Sequence, residues 1–278
     1  MITLKNFHFG YSKKKAVFDG LNLEFKSGFI YGLLGKNGTG KSTLFKNICG
    51  LQKPSQGSVT SLGFNPFERN PEMLRDVFLL PEEFHVPAIR IEEWAKTMAP
   101  FYPRFDHRLF AELLGEFEIP TDNRMSEMSL GQKKKCLISF SLATNTRILL
   151  LDEPTNGLDI LSKTQFKQII RKLNVKGDRC IIISTHQVKD IEDLVSRITV
   201  IDSGKILFDE NTTTISAKLS FSSGSSVPES AIYAEPSARG FDYILPQNSS
   251  GNHQPDMELL YKLIMTNPAA AHSIFTQN

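Results

Sequence analysis

The feature that most constrains this chain is a glycine-rich loop, Gly35-Lys36-Asn37-Gly38-Thr39-Gly40-Lys41-Ser42-Thr43. It follows a nearly unbroken apolar run, Phe29-Ile30-Tyr31-Gly32-Leu33-Leu34, the pattern of a strand buried on both faces of a parallel sheet. The loop satisfies G-x-x-x-x-G-K-[ST] between a strand and a helix. Its glycines let the backbone wrap so that N–H groups converge on one centre. The helix that follows adds the positive end of its dipole. Such a cradle fits phosphate. Lys41 can reach β- and γ-phosphates as a mobile point charge, and Ser42 offers a hydroxyl to Mg²⁺.

A second apolar run, Ile148-Leu149-Leu150-Leu151, ends in Asp152-Glu153-Pro154. Carboxylates at the C-terminal end of a strand face the ligand crevice of an open α/β sheet. Successive strand positions point apart, so the two acids can do different work. Asp152 can hold Mg²⁺ through its water shell, and Glu153 can polarise an attacking water. A third run, Cys180-Ile181-Ile182-Ile183, ends in Ser184-Thr185-His186. An imidazole there can hydrogen-bond a γ-phosphate oxygen. His8, His85, His107 and His253 have no partner set and carry no functional expectation.

Strands alternating with helices predict an α/β sheet of mainly parallel type. Before the loop, residues 2–5 and 21–25 alternate as β-strands around a turn with a basic tip at Lys13, Lys14 and Lys15. Residues 91–99 and 106–118 read as helices. In the second, Leu109, Phe110, Leu113, Leu114 and Phe117 fall at helical spacing and are expected in the core. Residues 216–230 are serine-rich and read as a loop or linker. Beyond them, residues 241–245 suggest a strand, and Asp256 can cap a helix.

Length and composition narrow the class further. At 278 residues the chain allows one large domain, or one with an appendage. The 40% hydrophobic and 22% charged content is that of a soluble globular protein. Thirty-two Lys and Arg against 30 Asp and Glu leave a net charge of +2, so no basic excess points to nucleic acid. Cys49, Cys136 and Cys180, widely spaced and without a CxxC, read as reduced thiols in a cytoplasmic protein. The start of the chain has no secretory signal, and no run of about 18 apolar residues is long enough to span a bilayer. Any membrane part is expected in another chain.

Met128-Ser129-Leu130-Gly131-Gln132 lies 23 residues before Asp152. With the loop and the Leu-Leu-Leu-Asp-Glu-Pro strand end, it resembles the signature of ATP-binding cassette (ABC) nucleotide-binding subunits over about residues 1–210. Met128 and Leu130 replace the first Leu and first Gly of L-S-G-G-Q. Asn156-Gly157-Leu158-Asp159 is similar to that family's D-loop, and His186 to its switch histidine. The resemblance implies a P-loop NTPase core: a mixed sheet flanked by helices, an N-terminal antiparallel β subdomain, and a helical subdomain at about 83–128. A small C-terminal α+β appendage at 211–278 would follow. The resemblance places Tyr11 where an aromatic stacks on adenine, with Phe7, Phe9 or plain core packing as rivals. It puts Glu82 where members usually carry a glutamine; a carboxylate there can still coordinate Mg²⁺ or orient water, but cannot donate a hydrogen bond unless protonated. The alternative is that Glu82 and Glu83 are solvated loop acids.

By the same resemblance the cofactors are ATP and Mg²⁺, and two copies stack head to tail. Ser129, Leu130, Gly131 and Gln132 of one copy would then cover the γ-phosphate of the other. The expected activity is ATP hydrolysis that drives separate integral membrane permease subunits from the cytoplasmic face. Export is expected over import on overall similarity alone. A soluble ABC ATPase of an assembly or repair process is the rival, and a GTP switch lacks its guanine-reading [NT]-K-x-D. The Lys133-Lys134-Lys135 run is either a solvated helix face or a group near phosphate or the membrane partner.

Overall fold

The computed structural model describes residues 1–12, 15–173, 177–247 and 255–276. Lys13, Lys14 and His253 lie outside the described residues. In chain order the elements are β1 (Ile2–Ser12), β2 (Lys15–Phe25), β3 (Ile30–Leu34), α1 (Lys41–Ile48), β4 (Gln56–Ser61), α2 (Pro71–Leu74) and β5 (Val77–Leu80). Then come α3 (Ile91–Met98), α4 (His107–Glu116), α5 (Leu130–Ala143), β6 (Ile148–Asp152), α6 (Ile160–Leu173), β7 (Cys180–Thr185), β8 (Arg197–Asp202) and β9 (Lys205–Asn211). The tail holds α7 (Thr212–Lys218), β10 (Leu219–Gly224), β11 (Tyr233–Ser237), β12 (Gly240–Pro246), α8 (Met257–Thr266) and α9 (Pro268–Thr276).

The three apolar runs become neighbours in one six-stranded sheet of order β5-β6-β7-β3-β8-β9. All pairs are parallel except β8 with β9. Every residue of β3, β6 and β7 is buried, as continuous apolar strands require when both faces are covered. The register aligns Leu34 with Thr185 and Asp152 with Ser184. Four adjacent strands therefore end at one edge, and the chain leaving β3, β5, β6 and β7 carries the phosphate loop, Glu82, Glu153 and His186 to it.

An antiparallel sheet β2-β1-β4 covers one face, packing Phe7, Phe18 and Phe25 against Tyr31, Leu44 and Phe45. Burial pushes the Tyr31 hydroxyl up to about 12, and that hydroxyl accepts the Lys26 N–H at 2.8 Å. On the other face α3, α4 and α5 gather aromatic rings around fully buried Phe140, with Trp94 at 4.5 Å and Phe105 at 4.8 Å between centroids. Phe110, Leu113, Leu114 and Phe117 are core residues, as their spacing predicts, whereas Leu109 is only partly buried against them.

The tail corrects the reading of residues 216–230 as a linker. They include the end of α7 and the whole of β10, whose Leu219 is buried. The serines of β10 alternate with Leu219 and Phe221, and that period of two outweighs serine's loop preference. A sheet of order β10-β12-β11 results. Asp256 caps α8 by accepting the Leu259 N–H at 2.8 Å, as predicted. Ile215, Leu219, Ile244 and Leu260 share one core with Ile198 and Val200 of the main sheet. Lys189, three residues beyond His186, pairs with Glu258 of α8 at 2.7 Å. Among the described residues no helix is long and apolar enough to cross a membrane.

Candidate nucleotide site

A cavity of about 520 Å³ opens at the shared strand edge, lined by Tyr11, Val17, Asn37, Gly38, Gly40, Lys41, Ser42, Thr43, Glu82, Asp152 and Glu153. The loop between β3 and α1 supplies its floor. Gly40 sits at φ +107°, and a Cβ there would lie 2.7 Å from the Phe18 ring. Only glycine fits both conditions. A Cβ on Gly35 would meet the Ile201 carbonyl at 2.5 Å. Gly35, Lys36 and Thr39 do not line the cavity. They shape it from behind: Thr39 donates to the Lys36 carbonyl at 2.9 Å, and the Lys41 ammonium donates to the carbonyls of Gly35 at 2.7 Å and Lys36 at 3.2 Å.

The carboxylate pair splits as the alternation of strand positions predicts. Asp152 Oδ1 accepts the Ser184 hydroxyl at 2.5 Å. Glu153 leaves the strand at φ +46°, a conformation costing about 1–3 kcal/mol outside glycine. Its N–H donates to the Ser184 carbonyl at 3.0 Å. This turn carries Glu153 under the loop. There Oε1 accepts His186 Nδ1–H at 2.9 Å and lies 3.5 Å from the Lys41 ammonium. An ionised carboxylate can only accept, so the imidazole hydrogen belongs on Nδ1. Oε2 is buried and, among the described residues, has no hydrogen-bond partner. Burying a carboxylate oxygen without a donor costs about 1–3 kcal/mol or more, and such an atom fits a water donor arriving from the cavity.

Tyr11 is 65% exposed, whereas Phe7 and Phe9 are buried. Its hydroxyl is hydrogen-bonded to Thr43 Oγ1 at 2.9 Å and accepts from the Gln52 amide at 3.4 Å. Its partial burial raises the phenol pKa, but these bonds and the Lys46 charge outweigh that and lower it overall. The ring is thus fixed at its tip and meets Phe9 edge-on at 5.2 Å between centroids, while the residue as a whole stays exposed. Glu82 is drawn into the site by Asn156, whose amide donates to Oε1 at 3.0 Å.

Ser42, Asp152 and Glu82 all line the cavity. Among the described residues no three His, Cys, Asp or Glu side chains stand close enough to enclose a metal by themselves. That donor set suits Mg²⁺, which is ordinarily held by one or two carboxylates with waters and substrate phosphates.

Ser129 to Gln132 do not line the cavity. Ser129 caps α5: its hydroxyl oxygen accepts the Gln132 N–H at 3.2 Å, and Gln132 Oε1 accepts the Ser129 N–H at 2.9 Å. This is a capping box, the S-x-x-Q spacing that sequence reading took only for a signature. The serine hydrogen stays free to donate. Leu130 is 67% exposed at the first position of the helix. Asp159 likewise caps α6, accepting the Ser162 N–H and hydroxyl at 2.8 Å each. Those bonds hold its carboxyl below the usual range.

The lysine run is not a solvated face throughout. Lys134 is 2% exposed, with its ammonium 3.5 Å from the Glu82 carbonyl and 5.4 Å from the centre of the Phe84 ring. Sequence reading also missed Ser184 and Asn156 as hydrogen-bond partners of the acids. Only the register of β6 with β7 brings the first into reach, and nothing local in the sequence reports it.

The parallel sheet and the loop-and-carboxylate cavity at its edge define a P-loop nucleotide-binding cassette. The model of the ABC transporter family matches residues 18–156, and the chain belongs to that family. It is 33% identical over 204 residues to the bacitracin transport ATP-binding protein of Bacillus licheniformis, covering 71% of this chain and 65% of that protein. It is 31% identical over 221 residues to the methionine import ATP-binding protein of Francisella tularensis, covering 74% and 63%. The match thus spans just under two thirds of these relatives' lengths. The solved dimeric structure of a bacterial ABC transporter cassette superposes with a TM-score of 0.66 at 25% identity, covering 76% of this chain and 98% of that one.

Proposed function

We propose that the chain binds Mg·ATP in the cavity between the 35–43 loop and the β6 carboxylates, and hydrolyses it. One observation carries the hydrolytic reading. Lys41 and His186 converge on Oε1 of Glu153, and this leaves Oε2 buried and unpartnered. Oε2 is then the atom that accepts a hydrogen from the attacking water, while Lys41 and the loop N–H groups face the γ-phosphoryl oxygens. Catalysis is chiefly positioning and charge stabilisation. His186, held by Glu153 through Nδ1, presents its other nitrogen toward the γ-phosphate. Ser42, Asp152 and Glu82 would hold Mg²⁺, which when bound offsets the charge of the phosphates. The exposed ring of Tyr11 receives the adenine.

The rest of the assembly follows from what the cavity lacks. No group from the 129–132 turn reaches it, so a second copy in head-to-tail orientation would supply Ser129, Leu130, Gly131 and Gln132. Exposed Ile160 and Leu161, next to Asp159, suit the same contact. That the solved relative is dimeric supports pairing of two copies. The names of both sequence relatives, a transport and an import ATP-binding protein, support a role in transport; separate integral membrane permease subunits, with the chain peripheral on the cytoplasmic face, complete that reading. A second cavity of about 580 Å³, near residues 83–128 and bordered by exposed Leu51 and Phe101 with Leu74, Leu79 and Tyr102, is the surface we assign to a short permease helix. Residues 1–210 would carry the nucleotide chemistry and 211–278 the appendage.

The test is purification of the tagged chain from its native membranes. Co-purification of an integral membrane protein whose presence raises ATP turnover is the expected result. Turnover that depends only on a soluble partner would overturn the transport reading.

A further inference from the structure

The hydrolytic reading leaves Lys134 without a task, although burying an ammonium in protein costs several kcal/mol unless charge and hydrogen bonds offset it. Packing alone does not call for lysine at a site 2% exposed; a methionine would fill the same volume without that cost. Its contacts point toward the nucleotide site. The ammonium is 3.5 Å from the Glu82 carbonyl and lies over the Phe84 ring. Burial lowers its pKa, and the charges of Glu82, Asp152 and Glu153 pull it back up. All three acids line the cavity. From the loop side Lys41 pairs with Glu153 at 3.5 Å, and among the described residues no salt bridge reaches Glu82 or Asp152. Lys133 and Lys135 flank Lys134 on α5, but only Lys134 is buried, and Lys133 turns outward to the Ser126 carbonyl at 3.1 Å.

The helix that carries Lys134 begins at the Ser129 cap. Five residues separate the two, about 7.5 Å along the helix axis. One rigid element thus has the signature turn at its end and a buried cation against the Glu82 segment a turn and a half later.

We propose that Lys134 is a positioning residue for hydrolysis: its ammonium holds the Glu82 segment to α5 and offsets the surplus negative charge of Glu82, Asp152 and Glu153. The proposal rests on the reading of those acids given above. Its consequence is that Lys134 and Glu82 act as a charge pair without a direct ion-pair contact.

The test uses the full chain with steady-state kinetics, a fluorescent ATP analogue and thermal unfolding. Lys134→Met should lower kcat at least tenfold, with KM and analogue affinity changed less than threefold. With ADP present, Mg²⁺ should raise its Tm by more than it raises that of the unsubstituted chain, because a divalent cation replaces the missing charge. The double variant Glu82→Gln/Lys134→Met should recover kcat at least threefold over Lys134→Met. It should also fold where Lys134→Met does not. Unchanged kcat in Lys134→Met, parallel losses of kcat and analogue affinity, or no recovery in the double variant would each overturn the proposal. If the unsubstituted chain neither binds nor cleaves ATP, the underlying hydrolytic reading fails instead, and that control is run first.

Discussion

Glu153→Gln isolates the role of one oxygen atom. In the native site Oε1 accepts His186 Nδ1–H and faces the Lys41 ammonium 3.5 Å away, while Oε2 has no partner. A glutamine has the same shape but only one acceptor atom. The cation and the imidazole N–H both demand that its carbonyl oxygen take the Oε1 position. The NH₂ group is thereby forced into the Oε2 position, where it can donate but not accept. A water there would be held with its oxygen toward the amide and its hydrogens turned away, the reverse of what activation needs. Loss of a positioned proton acceptor costs 10²–10⁴-fold in rate, about 3–5 kcal/mol of barrier. Nucleotide binding should survive or tighten, since a negative charge beside the γ-phosphate is removed. Single-turnover phosphate release, nucleotide calorimetry and size-exclusion in ATP are the measurements. The expected outcome is at least a hundredfold slower release with retained affinity and accumulation of an ATP-bound dimer. Turnover within threefold of the unsubstituted chain would refute the assignment of Oε2.

Other consequences are equally open to measurement. Tyr11→Ala should weaken ATP binding by about 1–3 kcal/mol, the usual worth of a base stacked on an aromatic ring, while leaving inorganic triphosphate binding unaltered; equal losses for both would remove the adenine role. Phe140→Ala, which empties the centre of the ring cluster, should lower stability by about 3–5 kcal/mol, read in urea by the fluorescence of Trp94 at 4.5 Å; a loss under 1 kcal/mol would show that the cluster closes over the gap. Lys189 and Lys262 hold the Glu258 carboxyl below its ordinary value of 4.5. Its contribution to docking α8 is therefore complete above pH 4.5 and disappears as pH falls through the depressed value. Proteolysis of the tail should rise in that acid window and, in Glu258→Gln, already be elevated at pH 7; a pH-independent cleavage rate in the native chain would contradict this.

How much of this was legible beforehand depended on whether a signal was local. The loop, the apolar strands and the Asp256 cap are written in adjacent residues, so backbone sterics and hydrogen bonding make them readable. Ser184 on Asp152 and Asn156 on Glu82 join residues 32 and 74 positions apart, and no local pattern encodes either. Lys134 was read as one of three equivalent lysines because helical periodicity is ambiguous in a triplet. Its burial follows from α5 being enclosed on nearly all sides, which erases the amphipathic signal. Residues 216–230 misled for the opposite reason: composition suggested a loop while a short period-two pattern was present. The left-handed turn at Glu153 has no sequence mark at all, since glutamate gives no hint of positive φ. The export expectation rests on no residue in this chain.

The same local geometry explains why the site would need a second copy. Each of the two turns assigned to phosphate lies at a helix N-terminus, but of the two the one before α1 lines the cavity. The turn before α5 uses its own capping oxygen on the Gln132 N–H, through the Ser129–Gln132 box, and leaves the serine hydrogen available to donate. A turn so completed gains nothing by refolding toward its own nucleotide, yet it retains donors for an anion presented from outside. Two acids of the cavity are meanwhile held by donors from different places, Ser184 on β7 and Asn156 after β6, and the Lys134 ammonium on α5 approaches the backbone carbonyl of Glu82. Pressure on the Ser129 end of α5 from an opposing nucleotide would reach Glu82 through Lys134 without any change in the central sheet. Coupling of this kind needs a continuous helix with a contact at its inner flank, and on α5 that contact is the Lys134 ammonium 3.5 Å from the Glu82 carbonyl.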